Sequence, residues 1–345
     1  MNQPRLPAEW EPQSGVMLTW PHKFNDWAAQ LERVEKVFIN IAHEISLREL
    51  VLIVCFDEAH RHHIENALRD SPRRKDKLRF AIAPSNDVWA RDHGPITVIE
   101  EDTISLLDFI FNGWDNKFPS ILDNQITLRL ASQQTWGMHP VKPVKLVLEG
   151  GGIESDGNGS LMLTSSCLLE SNRNPNLDKG QIEKQLASYF GSENFLWLNH
   201  GHLAGDDTDG HIDTLARFCD ENTITYVACD DPQDEHYDSL QQMKAELETF
   251  RTRAKQAYKL IPLPMPSAKY DEHLQRLPAT YANFLIINKA VLVPTYEDSN
   301  DEQALHALQS CFPDREIIGI DCTPLIQQFG SLHCVTMQLP AGILD

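Results

Sequence analysis

The sequence predicts an α/β fold. Short β-rich apolar runs recur along the whole chain, amphipathic stretches of helical spacing lie between them, and the two kinds alternate. Strands are expected over 16–20, 50–55, 103–111, 145–148, 161–164, 195–198, 223–229, 284–287, 291–293, 317–320 and 334–338. Helices are expected over 27–47, 57–68, 181–190, 236–257 and 301–311, where apolar residues return every three or four positions. No low-complexity stretch or Gly/Ser linker divides the chain, so residues 1–345 read as a single domain. The proline-rich patch over 261–266 reads as a rigid loop rather than a linker. No strict internal repeat is visible, yet the strand-strand-helix rhythm suits degenerate structural repeats.

Bulk properties narrow the function. With 345 residues, 41% of them hydrophobic, the chain has the composition of a globular protein with a large core. A formal charge of −20 opposes contact with phosphate backbones and anionic lipid, and it favours cationic small molecules. No segment approaches the ~20 apolar residues of a membrane helix. The polar start, Met1 to Arg5, leads into no apolar segment of the export type, and a cytoplasmic location is expected. The seven cysteines form no CxxC pair, so reduced thiols are expected rather than a disulfide framework.

Four loops carry chemistry. The first, 86–95, crowds Trp89, Arg91, Asp92 and His93 before a Gly94-Pro95 turn, placing Asp92 at the mouth of a strand. The second ends a strand in Glu149 followed by Gly150, Gly151 and Gly152. It lacks the spacing of a dinucleotide fingerprint and runs toward a hairpin tip at 155–159. The third, 206–213, packs four aspartates and His211 into eight residues, without EF-hand spacing. His200 and His202 lie upstream, but an acid/base pair around His211 is favoured over zinc. The fourth places Cys334 at the start of a late strand after a Gly330-Ser331 turn. Each loop alone also fits a plain structural role: an Arg91–Asp92 surface turn, a hairpin, a buried thiol.

Together they fit a cationic electrophile. A guanidinium carbon is hard to attack because its charge is delocalised. Paired carboxylates must grip the N–H groups, a soft nucleophile must attack, and an acid must protonate departing ammonia.

The ordered set Pro7-Ala8-Glu9-Trp10-Glu11-Pro12, Trp89 to Pro95, Phe111-Asn112-Gly113-Trp114, Glu149-Gly150-Gly151, Asp209 to Asp213, Leu277 to Phe284 and Leu332-His333-Cys334 resembles the agmatine deiminase family. That family also contains the Porphyromonas-type peptidylarginine deiminases. The resemblance implies a pentein fold, a five-bladed α/β propeller of pseudo-repeated ββαβ modules. It implies Cys334 as nucleophile, His211 as general acid/base, and Asp92 and Asp213 as the guanidinium-binding carboxylates. Glu149 would orient His211 and help bind substrate, with Trp89 and Trp114 lining the slot for the aliphatic tail. It implies hydrolysis of agmatine to N-carbamoylputrescine and ammonia, through a covalent thiouronium intermediate, with no cofactor and no metal. A homodimer stays open.

Departures from the family pattern are Gly330-Ser331-Leu332 before His333, Met337 where a glutamine is usual, and Thr214 after Asp213. They bear on the tail pocket and leave the catalytic set intact. The alternatives are a deiminase acting on arginine or peptidylarginine, and an amidinotransferase of the same fold. The His60, His62, His63 cluster reads as a solvated helix face beside Glu58 and Glu65 rather than a metal site. A papain-like hydrolase would place its cysteine early, whereas Cys334 comes late.

Overall fold

The computed structural model describes residues 3–69, 75–101 and 103–344. Residues 1 and 2 of the polar start therefore lie outside the described residues. Among the described residues sixteen strands form five sheets that share one plan, the first with an added edge strand.

Strand β1 (Gln13–Thr19) leads through the helix Leu31–Ser46 to β2 (Leu50–Cys55), which lies parallel to it. The helix Glu58–Ala67 then leads to β3 (Leu78–Ile82) at the edge. In the second sheet β4 (Ile96–Glu100) and β5 (Thr103–Ile110) form a hairpin, and β6 (Val141–Val147) returns parallel to β5. The third repeats this with β7 (Ile153–Ser155), β8 (Ser160–Thr164) and β9 (Asn194–Leu198). The fourth uses β10 (Ala216–Asp220), β11 (Thr223–Ala228) and β12 (Lys259–Pro264). The fifth uses β13 (Leu285–Ile287), β14 (Ala290–Thr295) and β15 (Glu316–Asp321). The last strand, β16 (Thr336–Pro340), pairs antiparallel with β1, so the two ends of the chain complete the first sheet together.

Local sequence explains the crossovers. Asp178 accepts from the Gln181 backbone N–H while Gln181 reaches back to Asp178, a capping box that starts the helix Lys179–Phe190. Gly191, at φ 65°, ends it. Asp57 caps the helix Glu58–Ala67 by accepting from the His60 N–H at 2.7 Å. The central strands β2, β8 and β14 are almost entirely buried, which accounts for their unbroken apolar runs. Among the described residues no helix is long and apolar enough to cross a membrane.

Several expectations shift. The proline-rich patch is no loop: Pro262 and Pro264 lie in β12, an edge strand, where a missing N–H is tolerated on the unpaired side. The expected long helix over 236–257 ends at Thr249, since Phe250 turns extended and Arg251 bridges to Ala257. Its partner over 27–47 is split into a 3-10 turn, Asp26–Gln30, and the helix from Leu31. Cys334 does not begin a strand, because β16 starts two residues later, at Thr336. It sits in the preceding turn, whose Thr336 N–H donates back to the His333 carbonyl.

Candidate active site

The chemistry-bearing loops lie between strands of different sheets, yet they meet. Residues Ala90–His93 form one helical turn between β3 and β4 and hold Asp92 with 4% exposure. Asp92 is gripped from two sides. The Gly151 N–H donates to Oδ1 at 3.0 Å, and the Trp114 indole N–H donates to Oδ2 at 2.9 Å. The same Oδ1 lies 3.6 Å from His211 Nδ1.

Glycine is required at 151. A Cβ there would stand 2.5 Å from His211 Nδ1 and 2.8 Å from Asp92 Oδ1. The three-glycine run is thus a close approach of backbone to the Asp92–His211 pair. Trp114 is aimed by an unusual turn: Gly113, Trp114, Asp115 and Asn116 all have positive φ, at 71°, 51°, 72° and 63°. Such non-glycine conformations are costly and persist where the surroundings enforce them.

Asp213 is wholly buried. Its Oδ2 accepts from His333 Nδ1 at 2.8 Å and from the Asn283 amide at 3.2 Å, and it lies 3.8 Å from the Cys334 sulfur. Among the described residues its Oδ1 has no hydrogen-bond partner. Asn283 Oδ1 accepts from the His333 and Cys334 N–H groups at 2.9 and 3.3 Å and stands 3.4 Å from Cys334 Sγ.

Glu149 is held by a buried arginine. Arg173 Nε donates to both its oxygens, at 2.9 and 3.1 Å, and both side chains are 1% exposed. Arg173 also binds Asp209 at 2.8 Å and the Thr208 carbonyl at 2.9 Å, tying Glu149 to the loop that presents His211. One oxygen of Glu149, the Cys167 sulfur and a ring nitrogen of His211 lie within 4.8 Å of one another, a donor set able to hold a metal ion. The guanidinium of Arg173 competes with any cation for that carboxylate.

The electrostatics follow from burial and mutual charge. Burial, with Asp213 and Glu149 nearby, pushes the Asp92 carboxyl up to about 6 against the pull of His211. For Asp213 burial is outweighed by the His333 hydrogen bond together with the charges of His333, His211 and Arg217, and its pKa falls below the usual carboxylate value. His211 is desolvated, but Asp92 and Cys167 raise it well above the ordinary imidazole value. Burial together with Asp213 and Asp92 drives the Cys334 thiol far above 9.0, so the empty site holds it protonated.

A small cavity of about 30 Å³ opens on this cluster. Cys334, Asp92 and Thr214 line it together with Trp89, Trp114 and Phe118. Asp26, Asp87, Asp206 and Asp207 also line it, and among the described residues no lysine or arginine does. Burial beside Asp206 raises Asp207 to about 7. Trp89 packs on Trp27 with ring centroids 5.8 Å apart, and a Cβ on Gly330 would fall 2.2 Å from the Trp89 ring.

The structure thus brings together Cys334, Asp92, Asp213, Trp89 and Trp114, with His211 and Glu149 adjoining. Residues 200 and 202 point elsewhere, to Glu246 and Ser239. His60 bonds the Pro21 carbonyl, and His63 and His62 pair with Glu35 and Glu65 on the helix surface. Sequence reasoning assigned no role to Glu9, Cys167, Arg173, Asn283 or His333. Glu9, Asn283 and His333 lie inside the resemblance motifs, which is the signal that could have found them.

The Porphyromonas-type peptidyl-arginine deiminase family matches residues 5–340. The agmatine deiminase of Medicago truncatula is 31% identical over 97% of this chain and 96% of its own. A Porphyromonas gingivalis structure provisionally named an arginine deiminase superposes with a TM-score of 0.94 at 49% identity, over 99% of this chain and 100% of that one. A Cys-to-Ser variant of C. jejuni agmatine deiminase with substrate bound gives a TM-score of 0.91 at 38% identity, over 99% and 98%. The five-module architecture is the pentein propeller shared with these relatives. On the match across nearly its full length, the chain belongs to the Porphyromonas-type peptidyl-arginine deiminase family.

Proposed function

We propose that this protein is an agmatine deiminase, hydrolysing agmatine to N-carbamoylputrescine and ammonia, with residues 1–345 acting as one catalytic domain. The observation that carries the substrate is the cavity lining. Its lining holds the Cys334 thiol, the Asp92 carboxylate, aromatic rings and four further aspartates, with no lysine or arginine among the described residues. Agmatine is a dication, so both its ends meet negative charge. Arginine would bring a carboxylate to the same aspartates. The agmatine deiminase of C. jejuni, similar along the whole chain, supports the same reading. The β1–β16 pairing supports the single domain.

In this mechanism Asp92 and the free Oδ1 of Asp213 receive the guanidinium N–H groups. The arriving positive charge lowers the thiol pKa, so the thiolate forms chiefly with substrate in place. Cys334 attacks the central carbon and makes a C–S bond. His211, charged beside Asp92, protonates the departing nitrogen, which leaves as ammonia. A thiouronium remains on the sulfur. The now neutral His211 takes a proton from water, hydroxide adds to the carbon, and the C–S bond breaks to release the ureido product. Glu149, fixed by Arg173, sustains the charge on His211. Trp89 and Trp114 hold the methylene tail.

Ammonia and ureido product should be measured with agmatine, arginine and an arginine-containing peptide. Release from agmatine alone supports the assignment. Release from arginine or peptide overturns the substrate and keeps the Cys334 chemistry.

A further inference from the structure

Asp213 has only one oxygen to give a substrate, and the residues that take the other form a chain. His333 Nδ1 binds Asp213 Oδ2 at 2.8 Å, and His333 Nε2 binds Glu9 Oε2 at 2.7 Å. All three side chains are buried. Glu9 is anchored in turn: Arg217 donates to Oε2 at 3.0 Å, and the Ile286 N–H donates to Oε1 at 2.7 Å. The ring and the nucleophile move as one unit, because Asn283 Oδ1 accepts both their backbone N–H groups.

Proton counting makes this chain informative. Each imidazole contact runs from a ring nitrogen to a carboxylate oxygen, and each needs one proton, or lone pair would face lone pair. A neutral imidazole carries a single N–H. The two contacts together therefore need two protons on three groups.

We propose that Glu9, His333 and Asp213 form a two-proton positioning triad. Glu9 fixes His333 as a donor toward Asp213, and His333 occupies Oδ2 so that Oδ1 stays ionised and aimed at the guanidinium. The inference rests on the reading of Asp213 as a guanidinium-binding carboxylate. The charged groups facing the ring are Glu9, Asp213, Arg217 and Arg91, with Glu154 sharing Arg217 and His211 acting on Asp213 from the opposite side. Burial, Arg217 and Arg91 push the imidazole down from its ordinary value, and the two carboxylates oppose them.

The test uses the full-length chain and two readouts. Imidazole ¹⁵N shifts of His333, followed from pH 5.5 to 8, need no turnover. The triad predicts a proton in both ring contacts, and the loss of one in Glu9→Gln. Steady-state kinetics with agmatine then separate positioning from packing. His333→Ala should raise KM by about 100-fold, and His333→Asn, whose Nδ2 stands in for Nδ1, should recover at least about tenfold. A single ring proton in the wild-type protein with Glu9 ionised, read from its carboxyl ¹³C shift, overturns the proposal, as does a folded His333→Ala with unchanged KM, or His333→Asn no better than alanine. If His333→Ala does not fold, the ¹⁵N shifts and the pH dependence of KM in Glu9→Gln decide. A wild-type chain that releases no ammonia from agmatine would defeat the substrate reading, and the ¹⁵N result would still settle the triad.

Discussion

The side-chain carbonyl of Asn283 lies 3.4 Å from the sulfur of Cys334 while its amide holds Asp213 Oδ2 at 3.2 Å. One residue thus sets the spacing between the Cys334 sulfur and the Asp213 carboxylate. Asn283→Ala should lower kcat/KM for agmatine by about 10- to 100-fold, equivalent to ~1.4–2.7 kcal/mol. Because Asn283 also holds two backbone N–H groups, some loss of stability should accompany it. Kinetics together with urea unfolding separate the two effects, and full activity in a destabilised Asn283→Ala would contradict the positioning role.

Asp92 sets an acid limb. Its carboxyl, raised by burial to about 6, must ionise to take a guanidinium, so KM for agmatine should rise about tenfold per pH unit below about 6. The folding consequence has the opposite sign to that of a paired carboxylate. A folded-state pKa above the ordinary 3.8 of an aspartate means that the native state holds the extra proton, so this group's contribution to stability falls as pH rises from about 4 to 6. Asp92→Asn should remove that decline, read as the difference between the two proteins' unfolding free energies at pH 4.5 and 7.

Gly151→Ala places a methyl group on the Asp92–His211 contact. Overpacking of this kind costs about 1–3 kcal/mol of stability. The larger effect should fall on kcat, by about 100-fold, because a displacement near 1 Å is enough for that loss. A folded variant with wild-type kcat would show that the contact is dispensable.

Arg173→Met leaves Glu149 as a buried carboxylate without its partner. Removing one member of a buried pair costs about 3–5 kcal/mol, so the urea midpoint should fall sharply. Arg173→Lys should recover part of the stability but not the fork that joins Glu149 to Asp209 and Thr208. Equal midpoints in Arg173→Met and wild type would contradict the anchoring of Glu149.

Much of this was legible in the sequence for a physical reason. Buried central strands such as β2 and β14 are continuous apolar runs, and the helix Asp301–Cys311 keeps its period, so both stand out from one chain alone. Pro262 and Pro264 misled because proline suppresses a strand reading, and only the sheet shows that β12 lies at an edge. Cys334, His211, Asp92 and Asp213 were visible as reactive types beside turns. Arg173, Asn283 and Glu9 were not, since their roles come from contacts across 24, 70 and 324 positions of chain. The meaning of Gly151 likewise appears only once His211 stands beside it.

The central claim is that Cys334 hydrolyses agmatine in a slot built for a dication. The most direct measurement is ammonia release by wild type and Cys334→Ser, each with agmatine and with arginine. The account predicts release from agmatine in the wild type with kcat/KM at least about 100-fold above that for arginine, and none from Cys334→Ser with its fold retained. Undiminished release by Cys334→Ser, or a preference for arginine, would contradict it.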